Sequence, residues 1–237
     1  MSTTYFLLSK KRGENVTNTE YSAIIQPPPE VTYLLPRNLL SCYANDGLFE
    51  SGLIEWCKQF CKSDGIFLDI GAHTGTYTLS LSSYVNHVYA FEPQKMTYYA
   101  LCGGVALSDM KNVTCINHGL GSSEQVGKTV LNIVSRDGGG STIHTPSTEI
   151  LCQEEITITT LDSYKLSNVC FIKMDVEENE LFVLQGAKET LIRCGLPCIL
   201  FESNDPDKRS DLFSHIEDMS YRIVNVTGAK NMFLACR

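Results

Sequence analysis

The sequence predicts an α/β fold built on a doubly wound, mostly parallel sheet, and three observations carry that expectation. Short apolar runs recur at 66–70, 88–91, 113–117, 169–174 and 198–201, each the length of a buried strand. Longer stretches with helical spacing lie between them, and Leu181, Leu184, Ala187 and Leu191 mark the clearest apolar helix face. The first two runs end in acids, Asp69 and Glu92, and are joined by a glycine turn and a helix-like stretch. Strand, glycine turn, helix, strand, acid is the order of a nucleoside-binding half-fold.

The elements follow in order. Residues 1–45 read as an N-terminal extension. Within it, Lys10-Lys11-Arg12-Gly13 and the polar run to Glu20 suggest a loop or arm, and Gln26-Pro27-Pro28-Pro29-Glu30 a stiff extended spacer. Leu48, Leu53, Ile54, Trp56 and Phe60 suit an amphipathic helix over 47–61. After the first strand come Gly71 and Gly75, which carry no Cβ to keep the backbone from a ligand, then a helix over 77–82. Residues 93–106 read as helix, weakened or broken at Gly103-Gly104.

The third strand ends at Asn117-His118-Gly119-Leu120-Gly121, a loop expected to border a bound base. A β insertion at about 122–160 follows: residues 129–134 and 156–159 read as two strands around the glycine-rich loop 136–142. The fourth strand delivers Asp175 and Glu177 to one edge before a helix that Gly195 and Pro197 stop. The fifth ends in Glu202, and 221–226 and 231–236 form a closing hairpin around Thr227-Gly228-Ala229-Lys230. Seven mostly parallel strands with an antiparallel C-terminal hairpin are the Rossmann-like architecture of class I methyltransferases, here expected over 46–237.

The turn also says which ligand it suits. A dinucleotide site uses G-x-G-x-x-G to seat a pyrophosphate on a helix N-terminus. Here His73 stands two residues past Gly71, no third glycine follows Gly75, and Asp69 would repel a phosphate. An acid at that point suits the amino group of an amino-acid tail, and Glu92 suits a ribose. A ligand with a ribose and a cationic amino acid but no phosphate is S-adenosylmethionine. The expected contacts are Asp69, Gly71, Ala72, His73, Thr74, Gly75 and Thr76 from the turn, Glu92 and Pro93 from the second strand end, Gly119 and Leu120 from the third, and Asp175.

Composition narrows the partners. With 43% hydrophobic and 19% charged residues, wholesale disorder is excluded. A net charge of -8 disfavours nucleic acid, which needs a basic surface. Of the ten cysteines, Cys102, Cys115, Cys170 and Cys198 sit in or beside apolar stretches, as free thiols do. The first ten residues lack a positive region ahead of a long apolar run, and no stretch reaches the roughly 18 apolar residues of a membrane helix. A reduced, cytoplasmic protein without a membrane partner is expected. No metal site is expected either, since Cys57 and Cys61 lack a partner pair; a divalent ion on Asp175 and Glu202 is the alternative.

Three ordered segments carry a resemblance to a known family: Asp69-Ile70-Gly71-Ala72-His73-Thr74-Gly75-Thr76-Tyr77-Thr78-Leu79, then Ala90-Phe91-Glu92-Pro93, then Lys173-Met174-Asp175-Val176-Glu177 with Val183-Leu184-Gln185-Gly186-Ala187. Over about 65–204 the chain resembles the FkbM-type methyltransferases. It departs from their pattern at His73, where asparagine is frequent, at Glu178-Asn179, and over 101–107, which lacks a common asparagine. The resemblance implies O-methylation of a hydroxylated small molecule, sugar or glycan, with Asp69, Gly71, Gly75 and Glu92 on S-adenosylmethionine. A hydroxyl is a weak nucleophile, so a base should take its proton. Asp175 is the first choice for base or acceptor-orienting group, with His144 and His118 behind it. The rival readings are a catalytically inactive methyltransferase-like binding module and a nicotinamide-dependent oxidoreductase.

Overall fold

A computed structural model describes residues 5–11, 30–204 and 209–237. The N-terminal strands β1 (Tyr5–Lys11) and β2 (Glu30–Pro36) pair antiparallel, and α1 (Leu40–Asp46) and α2 (Ser51–Cys57) follow. Next come β3 (Ile66–Ile70), α3 (Thr76–Leu81), β4 (His87–Phe91), α4 (Lys95–Leu107) and β5 (Val113–Ile116). The short β6 (Gly119–Leu120), β7 (Gly127–Ile133) and β8 (Cys152–Thr159) form a separate three-stranded sheet of order β6-β8-β7. The chain then returns through β9 (Val169–Met174), α5 (Glu180–Gln185), α6 (Lys188–Arg193), β10 (Cys198–Glu202), α7 (Ser210–Asp218), β11 (Arg222–Asn225) and β12 (Met232–Cys236).

The central sheet has the order β11-β12-β10-β9-β3-β4-β5, and β12 lies between β10 and β11, antiparallel to both. Its inner strands are covered on both faces, which is why they read as continuous apolar runs. Successive residues point to opposite faces. Phe67, Val88, Phe171 and Leu200 join one core with α3, α4 and the N-terminal strands; Leu68, Ile70, Ile172 and Phe201 join the other with α5, α6 and α7. The chain runs outward from β3 through β4 to β5, then crosses back to place β9 on the other flank of β3. That reversal opens a crevice beyond the carboxyl ends of β3 and β9, where doubly wound folds bind ligands.

At the crevice, Asp175 N donates to Ile70 O at 3.0 Å, tying the two strand ends together. Gly71 has φ +76°, and a Cβ there would lie 1.8 Å from Asp175 O, so backbone meets backbone at a separation that needs glycine. Replacing Gly71 by alanine is expected to cost about 4 kcal/mol, lowering Tm on the order of 10 °C in thermal unfolding.

Several expectations change. β1 and β2 were not expected as strands; the predicted arm over 10–20 and the proline spacer fall, apart from Lys10, Lys11 and Glu30, outside the described residues. The helix over 93–106 is not broken at Gly103-Gly104. Those glycines admit β2: a Cβ on Gly103 would lie 2.3 Å from Leu34 Cδ1, and one on Gly104 3.1 Å from Thr32 O. The helix expected through Leu181 and Leu191 is divided into α5 and α6 at Gly186, whose position a Cβ would bring to 2.0 Å from Gly121 O. Asp162 restarts it, accepting from Glu189 N at 3.1 Å and Thr190 N at 2.7 Å. The ten cysteines are all free thiols. No helix among the described residues is long and apolar enough to cross a membrane.

Candidate active site

A cavity of about 410 Å³ occupies the crevice. Its floor is the turn after β3, contributed by Gly71, Ala72, His73 and Thr76. Phe91, Glu92, Pro93 and Gln94 from the end of β4 and His118, Gly119 and Leu120 beyond β5 form one side. Leu131, Ile156 and Ile158 from the small sheet, with Ile143 packed against that cluster, supply an apolar wall. Lys173, Asp175, Val176, Glu177 and Asn179 close the opposite side. Tyr43, Phe49, Glu50 and Tyr77 complete it, the first three from segments whose sequence carries no binding motif.

Glu92 organises the β3 side. It is 6% exposed, its Oε2 accepts from His73 N at 2.8 Å, and its Oε1 accepts from Gln94 N and Thr97 Oγ1, both at 2.9 Å. Three of the roughly four lone-pair sites of the carboxylate are thereby filled, leaving one strong acceptor direction. Burial raises its pKa against the pull of His73 and these donors. His73 has φ +51°, which lets its backbone N reach the carboxylate. Its Nε2 lies 2.6 Å from Asp137 O, a contact that puts the ring proton on Nε2.

Not every expected residue reaches the cavity. Asp69 and Thr74 are buried and lie outside the cavity lining, as does Gly75. Asp69 Oδ2 instead accepts from Thr78 N at 2.9 Å and Thr78 Oγ1 at 2.5 Å, holding the first turn of α3, while Oδ1 is buried without a partner. Burial raises its pKa, opposed by Lys173 and Thr78. Gly75, with φ +89°, is needed for packing, since a Cβ there would lie 2.6 Å from Leu101 Cδ1. Of the two histidines, His118 lines the cavity, its Nδ1 3.0 Å from Tyr164 Oη. His144 lies outside the lining, its Nε2 3.2 Å from Asn179 Oδ1 and its ring stacked on Phe182.

The cation beside Asp175 comes from the protein itself. Lys173 Nζ sits 3.2 Å from Asp175 Oδ2 and donates to Gly71 O at 3.2 Å, with 7% of its side chain exposed. Burial lowers its pKa, but the charges of Asp175, Asp69 and Glu50 outweigh that and keep it protonated. Glu177 is held differently. Its Oε1 accepts from Gly140 N at 2.9 Å, and its backbone O accepts from Thr142 Oγ1 at 2.8 Å. Burial, then the charge of Asp175, pushes its carboxyl up to about 7. The loop carrying Gly138, Gly139, Gly140 and Ser141 roofs the cavity through these bonds and through Ser141 Oγ to Gln94 Oε1 at 3.1 Å. The sequence marks it only as the glycine-rich loop of the insertion; a Cβ on Gly138 would lie 2.7 Å from Thr97 Cγ2, so the glycine permits the close approach. Among the described residues no three His, Cys, Asp or Glu side chains gather as a metal-holding group.

A sheet of this order, closed by an antiparallel hairpin and bearing a glycine turn and an acid at adjacent strand ends, is that of a class I S-adenosylmethionine-dependent methyltransferase. Residues 69–223 match the methyltransferase FkbM domain, and the chain belongs to that family. It is a methyltransferase whose cofactor is S-adenosylmethionine, which sets aside the nicotinamide reading.

The chain is similar to several solved structures. The precorrin-6y C5,15-methyltransferase of Geobacter metallireducens is 13% identical with a TM-score of 0.50, over 81% of this chain and 91% of that one. The methyltransferase FkbM of Methylobacillus flagellatus is 19% identical with a TM-score of 0.49; the match covers 79% of this chain but only 46% of that protein. A Streptococcus mutans protein solved in complex with SAH is 15% identical, with a TM-score of 0.48 over 77% of this chain and 93% of that one. No protein of curated function matches the chain.

Proposed function

We propose that this chain is an O-methyltransferase that methylates a hydroxyl of a small molecule or of a sugar or glycan. The observation that carries the reading is the placement of Asp175 and Glu177, which line the crevice cavity and also a second one of about 270 Å³ bordered by the end of β10. Two carboxylates stand where a cofactor in the first space and an acceptor in the second would meet. The proposed catalytic unit spans 46–237 with the insertion at 122–160, while Tyr43 of the extension adds to the cavity wall.

The residues present fit S-adenosylmethionine. Glu92 would accept a ribose hydroxyl in its remaining lone-pair direction. The turn from Gly71 to Thr76 would hold the amino-acid tail, with Asp69 bracing the turn from behind. Gly119, Leu120 and His118 would border the base against the apolar wall. When bound, the cofactor supplies a methyl group already activated on a sulfonium, so alignment is the main demand on the protein. Asp175, held by Lys173, orients the acceptor hydroxyl. Glu177, whose carboxyl sits near neutrality, takes the hydroxyl proton as the new bond forms. His118 faces the base side and His144 is engaged by Asn179, so neither is assigned the proton.

The test is transfer of a 13C-labelled methyl from S-adenosylmethionine to a panel of sugars and hydroxylated small molecules. The reading expects a label whose NMR shift is that of a methyl ether. A label on nitrogen or carbon would overturn it.

A further inference from the structure

The second cavity has a charge pattern that the reaction does not use. Besides Asp175 and Glu177 it is lined by Glu178, Glu180, Glu202, Ser203, Asn204 and Arg209. Two of its acids have their own cations. Asp175 is paired with Lys173, and the buried Glu180 with Arg209 at 2.9 Å, of which 15% is exposed. Glu202, at the end of β10, has no ion pair among the described residues. Next to it, Ser203 is 2% exposed, and its Oγ is buried with no hydrogen-bond partner. A buried hydroxyl without a partner costs about 1–3 kcal/mol, so its presence at a cavity wall calls for a ligand group to bond. A carboxylate without a counter-charge beside it calls for that group to be positive.

We propose that Glu202 and Ser203 bind an ammonium group of the methyl acceptor, which makes the substrate an amino-bearing hydroxy compound, such as an amino sugar. This rests on the reading that the acceptor enters from the second cavity. The stoichiometry of donors fits. An ammonium presents three N–H donors, and two carboxylate oxygens and one hydroxyl oxygen supply three acceptors. A neutral polyol offers the carboxylate no counter-charge, and an acidic sugar would be repelled. Burial, then the charges of Asp175 and Glu177, holds the Glu202 carboxyl up to about 7 against the pull of Lys173, and an ammonium beside it would favour its charged form.

The experiment compares glucosamine, glucose and glucuronate by calorimetry near pH 7, with the protein saturated by S-adenosylhomocysteine. Glucosamine should bind roughly 10-fold tighter than glucose, the worth of one charge-assisted hydrogen bond. Glucuronate should bind more weakly than either. In Glu202→Gln, glucosamine should fall to the level of glucose while S-adenosylhomocysteine affinity is kept, and in Ser203→Ala glucosamine should lose affinity more than glucose does. Raising the salt concentration should erode the preference in the unaltered protein, which repeats the test without a substitution. Equal affinities for glucosamine and glucose, no binding of glucosamine, or a preference that survives Glu202→Gln overturns the proposal. Failure of the cofactor reading would appear separately, in the titration with S-adenosylhomocysteine alone.

Discussion

Replacing Glu92 by alanine is expected to weaken S-adenosylmethionine binding about 100-fold, the loss of one charge-assisted hydrogen bond together with the order of the turn that frames it. The effect is large because the carboxylate has two duties. It offers its free lone-pair direction to the cavity, and it ties the backbone of His73 and of Gln94 and the hydroxyl of Thr97 into one frame. Alanine leaves the His73 and Gln94 N–H groups without that acceptor, while the Thr97 hydroxyl keeps Gln94 O at 2.8 Å, at a further cost to stability of about 1–3 kcal/mol for each donor that water cannot reach. Calorimetry of the alanine and glutamine variants separates the two duties. Glutamine keeps one acceptor oxygen and the side-chain shape, so it should retain more of the fold's stability than of the affinity. An alanine variant that binds S-adenosylmethionine as tightly as the unaltered protein would remove Glu92 from the cofactor site.

The second large effect concerns Asp175 and Glu177. Asp175→Asn should lower kcat about 1000-fold while leaving the cofactor Kd little changed, since orientation and proton removal act on the acceptor. Asparagine is the informative replacement because it still offers an oxygen to Lys173, which is 7% exposed and would otherwise lose its nearest carboxylate. Glu177→Gln should act through pH. A base works only when deprotonated, and the Glu177 carboxyl is raised to about 7. The kcat of the unaltered enzyme should therefore rise with pH through that value and level off above it. Glu177→Gln should remove that limb and leave a slow, flatter profile. An unchanged profile in this variant would take the proton away from Glu177.

Elements whose periodicity reflects local chemistry were legible in the sequence. The strands around Phe67, Val88, Phe171 and Phe201 are buried on both faces, so their apolar runs could be read directly. The glycine turn, Glu92 and the Asp175–Glu177 edge were legible because each sits at the abrupt end of such a run. The hairpin of β11 and β12 was announced by a turn sequence between two short strands. The N-terminal strands were not legible, because their pairing joins residues on either side of a long intervening segment and no turn signal marks it. The continuity of α4 was hidden for a related reason. Gly103-Gly104 is unfavourable by local propensity, and only the strand packed against it explains why the side chains are missing.

The sequence by itself determined the sheet, the order of its motifs and the family they resemble, since these depend on patterns a few residues long. Only the tertiary structure decided which motif residues face the cavity. Asp69 and Gly75 belong to the same motif as Gly71, yet one braces α3 and the other admits Leu101, because a turn can present only part of its length to a ligand. The tertiary structure also brought Tyr43, Glu50 and the glycine loop to the cavity and gave Asp175 its partner in Lys173. It likewise set Glu202 and Ser203 on one cavity wall with Glu177. Those placements depend on contacts between segments far apart in the chain, and the energy of burying a charge depends on what stands opposite it.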